Sequence, residues 1–206
     1  MNFEFARENM VKQQVMPEGI EVGSLIEAMS KIAREDFLPP QYKSLAYCDT
    51  ALTVSGKELK SPMFTAKLIY ALKINLKETV LKLGIESGYT AALLGRVAKK
   101  VEVIDHSEES REVVEYLLAN ANITNVNLSG TEHLAEVISK NKKFDCIYIS
   151  SILAEDELDE SLFELLEIGG RVVFVIKSTV CDRAYLTTRV DEKVYKKEFL
   201  FDIYNK

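Results

Sequence analysis

The strongest constraint on the fold is a regular alternation of short apolar strands with helices between Ser61 and Ile176. Strands are predicted at Thr79–Leu83, Val101–Ile104, Val126–Leu128, Phe144–Ile149 and Arg171–Ile176. Successive β-α units of this length predict an α/β protein, in which helices cover a mostly parallel sheet.

The helices between these strands are predicted from apolar periodicity and from capping residues. They are expected from Pro62 to about Leu72, over Ala91–Val97 and Glu108–Ala121, around Leu134–Ile138, and over Glu157–Leu166. Ser61 and Pro62 form a typical helix start. Gly169-Gly170 is predicted to end the last helix. In the Glu108–Ala121 helix, Val113, Val114, Leu117 and Leu118 are predicted to face the core.

The C-terminal tail has a different pattern. Tyr185–Val190 and Val194–Tyr204 resemble two strands with no helix between them, and Asp191-Glu192 is predicted to form their turn. An antiparallel pair at the edge of a parallel sheet is the expected result. The complete prediction is a doubly wound, Rossmann-like sheet of seven strands.

The region before Ser61 has two helical patterns, over residues 2–15 and 21–34. Pro39-Pro40 stops the second pattern, and residues 37–61 are expected to be irregular or to form short strands. Residues 1–60 are therefore predicted to be an N-terminal helical extension on the substrate side. Residues 61–206 are predicted to form one compact domain.

Charge and composition exclude several classes of function. The net charge of −6 and a pI near 5.2 disfavour nucleic acid as a partner. No apolar run reaches the roughly 18 residues that a membrane helix needs. The charged residues near the N-terminus argue against a signal peptide. Three scattered cysteines and two histidines favour reduced thiols, a cytoplasmic location and no metal site.

The best candidate site is the turn after the Thr79–Leu83 strand. Gly84 and Gly88 frame this turn, and a glycine-rich turn between a strand and a helix lets a ligand approach the backbone. Asp105 ends the next strand, 21 positions after Gly84 (105 − 84). A carboxylate at this spacing can accept hydrogen bonds from ribose hydroxyls. The alternatives are a purely structural turn and an Asp105 that caps the following helix.

Other polar residues fall near the same sheet edge. The loop after the third strand contains Thr131 and Glu132, which are candidates for ligand contact. His106 adjoins Asp105 and is interpreted as a cofactor-side or surface residue, with a general base as the alternative. Ser150 ends the fourth strand, either as a ligand contact or as a simple turn residue.

Several short segments, which follow one another in the same order, resemble those of the protein-L-isoaspartate O-methyltransferase family along almost the whole chain. Ala6-Arg7-Glu8-Asn9-Met10-Val11-Lys12-Gln13-Gln14 is similar to its opening helix, and Arg34-Glu35-Asp36-Phe37-Leu38-Pro39 to its R-E-x-F-V-P segment. Ala46-Tyr47-Cys48-Asp49-Thr50-Ala51-Leu52 resembles its A-Y-x-D-x-A-L segment. Phe144–Ile147 and Gly169–Val173 resemble later strands. Several matches in the right order are more specific than any single one.

The resemblance implies a cofactor, a substrate and a set of site residues. The family transfers a methyl group from S-adenosyl-L-methionine to the α-carboxyl of L-isoaspartyl residues in damaged proteins, which starts their repair. Such proteins or peptides are the implied partners. The implied cofactor-binding residues are Gly84, Glu86, Ser87, Gly88, Asp105, His106, Thr131 and Glu132. The candidate catalytic residues are Lys60, which occupies the position of the family's essential serine, and Ser61, which follows one residue later.

The chain departs from the family pattern at four positions around this site. Lys60 stands at the position of the essential serine, and Lys82 replaces an acidic residue before the glycine turn. Glu86 replaces the middle glycine, and Thr131 replaces the aspartate of a G-D-G sequence. These changes predict weak or absent isoaspartyl methylation. The two hypotheses are an active methyltransferase and a non-catalytic homologue that serves as a binding or regulatory module.

Overall fold

A computed structural model describes residues 2–54 and 56–204. Its described residues contain a seven-stranded sheet in the order β5-β4-β3-β6-β7-β8-β9 and a separate hairpin, β1-β2. The strands are β1 (Leu52–Val54), β2 (Lys57–Leu59), β3 (Thr79–Leu83), β4 (Lys100–Ile104), β5 (Val126–Ser129), β6 (Phe144–Leu153), β7 (Leu166–Ile176), β8 (Asp182–Asp191) and β9 (Val194–Ile203). β3 to β7 pair in parallel, whereas β8 and β9 are antiparallel. The predicted sheet is confirmed.

The helices follow the sequence pattern closely. They are α1 (Phe3–Asn9), α2 (Ser24–Lys31), α3 (Pro62–Ala71), α4 (Tyr89–Val97), α5 (Glu108–Asn120) and α6 (Thr131–Ser139). A π-helical segment, Met10–Val15, continues α1, and short 3₁₀ segments lie at Met16–Glu18, Arg34–Phe37 and Pro40–Leu45. The Ser61 side chain caps α3 by accepting a hydrogen bond from the Phe64 N–H.

The core consists of two apolar clusters. One cluster joins α2, α3 and α4 to the central strands and reaches the N-terminal segment through Met10 and Val15. The other cluster contains Phe144 of β6, Phe174 of β7 and Phe163 from the segment before β7. Since β3 and β6 lie at the centre of the sheet, consecutive residues that point to opposite faces are buried, as at Val80–Lys82 and Cys146–Ser150. Among the described residues, no helix is long and apolar enough to cross a membrane.

The predicted helix over Glu157–Leu166 is wrong. The segment forms two 3₁₀ turns, Glu155–Glu157 and Glu160–Leu165, and Leu166 already begins β7. Side chains compete with a helix here: Asp159 accepts a hydrogen bond from the Ser161 N–H, and Glu157 from the Ala154 N–H.

Gly169 and Gly170 consequently lie inside β7 instead of ending a helix. The pairing shifts between Phe144↔Leu166 and Cys146↔Arg171, so the strand bulges at the glycines. Gly169 has φ +85°, which a glycine adopts without strain.

Two smaller predictions also need correction. Val113 is 55% exposed, because the core-facing stripe of α5 runs through Val114 and Leu118, one full turn apart. The final turn lies one residue later than predicted, since β8 extends through Asp191 and β9 starts at Val194.

Candidate active site

A cleft of about 710 Å³ lies at the carboxyl ends of β3, β4 and β6. The chain leaves β3 towards β4 on one side, whereas β6 pairs with β3 on the other. Such a reversal of strand order opens a crevice at the sheet edge, where α/β proteins of this kind bind their ligands. The β1-β2 hairpin closes one side of the cleft through Gly56, Lys57 and Glu58.

Asp105 is a buried carboxylate in the lining of this cleft. Its Oδ2 accepts a 2.8 Å hydrogen bond from the Ile85 N–H, and its Oδ1 accepts a 2.9 Å bond from the Ser107 N–H. Burial opposes ionisation, but these amides and Lys57 together lower the pKa of Asp105 below its ordinary value. The group therefore remains a carboxylate at neutral pH. Ser107, and not Asp105, is the capping residue of α5.

Lys57 is a site residue that the sequence did not reveal. Its Nζ lies 3.2 Å from Asp105 Oδ1 and 3.3 Å from Ser110 Oγ. Lys57 stands on the short strand β2, 48 residues before Asp105. No motif or spacing links two such residues, because the contact depends on how the hairpin folds over the sheet edge.

The turn after β3 has a left-handed backbone at three positions. Gly84 and Gly88 both have φ +87°, and Glu86 has φ +53°. A Cβ at Gly84 would lie 3.1 Å from Ser150 Cβ, so a side chain there would press against β6. Glu86 retains the backbone conformation of a glycine, which costs a residue with a side chain on the order of 1–3 kcal/mol.

The side chain of Glu86 points into a buried polar cluster, the Lys60–Lys82–Glu86 cluster. Lys82 Nζ lies 3.1 Å from Glu86 Oε2, and Lys60 Nζ lies 3.9 Å from Glu86 Oε1. Burial lowers the pKa of Lys82, and Glu86 opposes that effect. Burial alone would raise the pKa of Glu86, but Lys82 and Lys60 together hold it below its ordinary value. The cluster thus contains two cations and one anion.

Six of the ten predicted site residues line the cleft: Lys60, Gly84, Glu86, Asp105, His106 and Thr131. The other four, Ser61, Ser87, Gly88 and Glu132, lie outside its lining. Gly88 begins α4 and packs so tightly that a Cβ would lie 2.6 Å from Val114 Cγ1. Ser87 lines a small void beside Arg34 and Tyr89, and Glu132 lies in a neighbouring depression with His133.

The apolar wall of the cleft was also not predicted from the sequence as part of the site. It consists of Ile104, Leu134, Ile149 and Ile152. Ile104 and Ile149 stand near the carboxyl ends of β4 and β6, so their position in the predicted topology was the available signal. Ser150 is buried in β6 and belongs to the polar cluster, which excludes the simple-turn alternative.

Structural comparison identifies the fold first. The chain superposes on a Plasmodium falciparum protein-L-isoaspartate O-methyltransferase, solved in complex with S-adenosyl-L-homocysteine, with a TM-score of 0.77. That match covers 98% of this chain and 96% of the other, at 17% identity. Another protein-L-isoaspartate O-methyltransferase gives a TM-score of 0.78 over 97% of this chain and 66% of the other, at 23% identity. The fold is the Rossmann-like fold of S-adenosylmethionine-dependent methyltransferases.

The sequence comparisons then give the family. The family model of protein-L-isoaspartate(D-aspartate) O-methyltransferase matches residues 6–202. A protein-L-isoaspartate O-methyltransferase of Geobacter metallireducens is 31% identical over 180 residues, covering 85% of this chain and 81% of the relative. One from Anaeromyxobacter is 34% identical, covering 83% and 70%. The chain belongs to the protein-L-isoaspartate(D-aspartate) O-methyltransferase family.

Proposed function

We propose that this protein transfers the methyl group of S-adenosyl-L-methionine to the α-carboxyl of L-isoaspartyl residues in damaged proteins. Family membership supports the reaction. The single observation that carries the assignment to this cleft is the ionised Asp105 beside the left-handed turn at Gly84.

The residues of the cleft fit the nucleoside part of this cofactor. Asp105 would accept hydrogen bonds from the ribose hydroxyls, and Ile104, Leu134 and Ile149 offer apolar contact to a base. Gly84 lines the cleft without a side chain, so a ligand can approach the backbone of the turn closely there.

The reaction needs positioning more than acid-base help. S-adenosyl-L-methionine supplies a methyl group activated on a sulfonium. The isoaspartyl carboxylate is already an anion, so the protein has no proton to remove. The apolar wall would keep water away from the reacting charges, and the turn at Gly84 would position the methyl donor. In the ester product the following backbone nitrogen attacks the ester carbonyl and methanol leaves, which gives a succinimide. Water then opens this ring partly to normal aspartate.

The partners in this proposal are proteins or peptides that carry isoaspartyl residues, and the proposed location is the cytoplasm. The three cysteines are free, with Cys146 and Cys181 buried, as expected in a reducing compartment.

Ligand binding should be visible as stabilisation. S-adenosyl-L-homocysteine at 100 times its Kd is expected to stabilise the fold by about 2.7 kcal/mol, because it binds only the folded state. Chemical denaturation with and without this compound measures the change. If the two unfolding curves coincide at millimolar ligand, the cleft does not bind the cofactor and the proposed function fails.

Replacing Asp105 with alanine should weaken binding of S-adenosyl-L-homocysteine by roughly 1–3 kcal/mol, through loss of charge-assisted hydrogen bonds to the ribose. Isothermal titration measures this effect. Asp156→Ala is the control, because Asp156 is exposed and does not line the cleft, so its removal should leave affinity nearly unchanged. Equal affinities for Asp105→Ala and the unmodified protein would remove Asp105 from the site.

A further inference from the structure

The end of the cleft beside Gly84 has an excess of buried positive charge. The side chains of Lys60, Lys82 and Glu86 are 5%, 0% and 9% exposed, so two ammonium groups share one carboxylate. Arg34 adds a third buried cation next to Lys60. Its Nη2 donates to the Lys60 carbonyl at 2.9 Å, and within the described residues its Nη1 has no hydrogen-bond partner.

The two lysines differ in how fully they are bonded. Lys82 has three acceptors for its three N–H groups: the Gly84 carbonyl, Glu86 Oε2 at 3.1 Å and Ser150 Oγ at 2.5 Å. Within residues 2–54 and 56–204, Lys60 donates one hydrogen bond, to the Ser150 carbonyl, and its distance of 3.9 Å to Glu86 is too long for another. Lys60 lines the cleft and therefore has donors left for a ligand.

The position of Asp105 fixes which part of a nucleoside would meet this cluster. In doubly wound sheets the ribose binds the carboxylate after the second strand, and the 5′ substituent lies over the glycine-rich turn after the first. Here that turn is Gly84–Gly88, and Lys60 and Glu86 line the cleft beside it. The 5′ tail of a bound nucleoside would therefore extend towards the Lys60–Lys82–Glu86 cluster.

We propose that Lys60 binds a carboxylate on the 5′ tail of the ligand, and that an ammonium group on the same tail adds no affinity. The inference rests on the proposed function, because it takes the cleft to be the cofactor site. Glu86 already accepts a hydrogen bond from Lys82 at 3.1 Å and lies 3.9 Å from the Nζ of Lys60, so it is not an unpaired anion for an incoming ammonium. An ammonium would also face the cation of Lys60, whereas a carboxylate would complete the bonding of Lys60.

Isothermal titration with four adenosine thioethers tests this preference. The probes are S-adenosyl-L-homocysteine, its analogue without the amino group, its analogue without the carboxyl group, and 5′-methylthioadenosine, which has no charged tail. The carboxylate-only compound is expected to bind at least tenfold more tightly than 5′-methylthioadenosine and about as tightly as S-adenosyl-L-homocysteine. The amine-only compound should bind no more tightly than 5′-methylthioadenosine.

Two variants separate the tail from the nucleoside. Lys60→Met should bring the carboxylate-only compound to within about twofold of 5′-methylthioadenosine. Lys57→Met, next to Asp105, should shift the affinities of all four compounds by a similar factor and keep their order.

Three results would overturn the inference: tighter binding of the amine-only compound than of 5′-methylthioadenosine, a carboxylate preference that persists in Lys60→Met, or no binding of any probe. Methyl transfer to an isoaspartyl peptide, measured on the same preparation, shows separately whether the proposed function fails. The order of affinities can hold in a protein that transfers no methyl group.

Discussion

Replacing Glu86 with glutamine is expected to lower the free energy of unfolding by about 3–5 kcal/mol, because the change leaves the ammonium of Lys82 buried without its counter-ion. Lys82 is completely buried, so water cannot replace the lost partner. Glutamine has nearly the size of glutamate and retains the strained φ of +53° at this position. The loss of stability in Glu86→Gln therefore measures the effect of removing the charge, whereas Glu86→Gly would also relieve backbone strain. Urea denaturation followed by circular dichroism measures the change.

The chain contains a matched control for this experiment. Lys12 and Glu8 form an ion pair with the same spacing of four residues, but their side chains are 64% and 54% exposed. Glu8→Gln should leave stability almost unchanged, since exposed pairs are weak. The double variant Lys82→Met/Glu86→Gln removes both buried charges and should recover most of the loss. Equal stability of the Glu86→Gln and Glu8→Gln variants would contradict the claim that buried Lys82 needs Glu86 as its counter-ion.

The defect of Glu86→Gln should also depend on pH. Burial lowers the pKa of Lys82, and loss of Glu86 lowers it further, since Glu86 acts to raise it. Between this lowered pKa and the ordinary value of 10.5, the unfolded chain binds more protons at Lys82 than the folded chain does. Relative to the unmodified protein, the variant should therefore gain stability as pH rises through that window.

Replacing Lys60 with serine is expected to raise isoaspartyl methyl transfer on the order of 10–100-fold at saturating S-adenosyl-L-methionine. The resembled family has a serine at this position, and a strongly solvated ammonium is a poor substitute for a short hydroxyl held close to the reacting group. An error of about 1 Å in positioning can change a rate about 100-fold. Ser61 lies outside the lining of the cleft, and its Oγ accepts the capping hydrogen bond from the Phe64 N–H.

Lys60→Met is the control for this gain. It removes the charge, keeps the length of the side chain and adds no hydroxyl. A rise in Lys60→Ser alone assigns the gain to the hydroxyl, whereas an equal rise in both variants assigns it to loss of the cation. A fall in transfer for Lys60→Ser would show instead that Lys60 itself supports the reaction.

Most of the fold could be predicted from the sequence, because local patterns determine it. β3 begins and ends where its apolar run predicted, and α3 starts at the Ser61-Pro62 cap. The failures occurred where local side-chain bonds compete with a helix, as at Asp159, and where a strand bulges at Gly169. Apolar content alone does not distinguish a 3₁₀ turn from an α-helix.

The site was predicted in outline only. The spacing of Gly84 and Asp105 placed both at one sheet edge, since parallel strands bring their carboxyl ends together. The partners of these residues come from distant segments: Lys57 reaches Asp105 from the hairpin, and Lys60 reaches the carbonyl of Ser150 across 90 positions. No sequence pattern encodes such contacts. The sequence identified Lys82 and Glu86 as departures from the family pattern. In the structure their side chains form an ion pair with each other.

Methyl ester formation tests the central claim most directly. Purified protein, S-adenosyl-L-methionine labelled in its methyl group and an isoaspartyl peptide are incubated, with the normal aspartyl peptide of the same sequence as control. The account predicts slow formation of a base-labile methyl ester on the isoaspartyl peptide alone. Absence of label in protein that S-adenosyl-L-homocysteine stabilises, or equal labelling of both peptides, would contradict it. The first of these results would instead support a non-catalytic homologue.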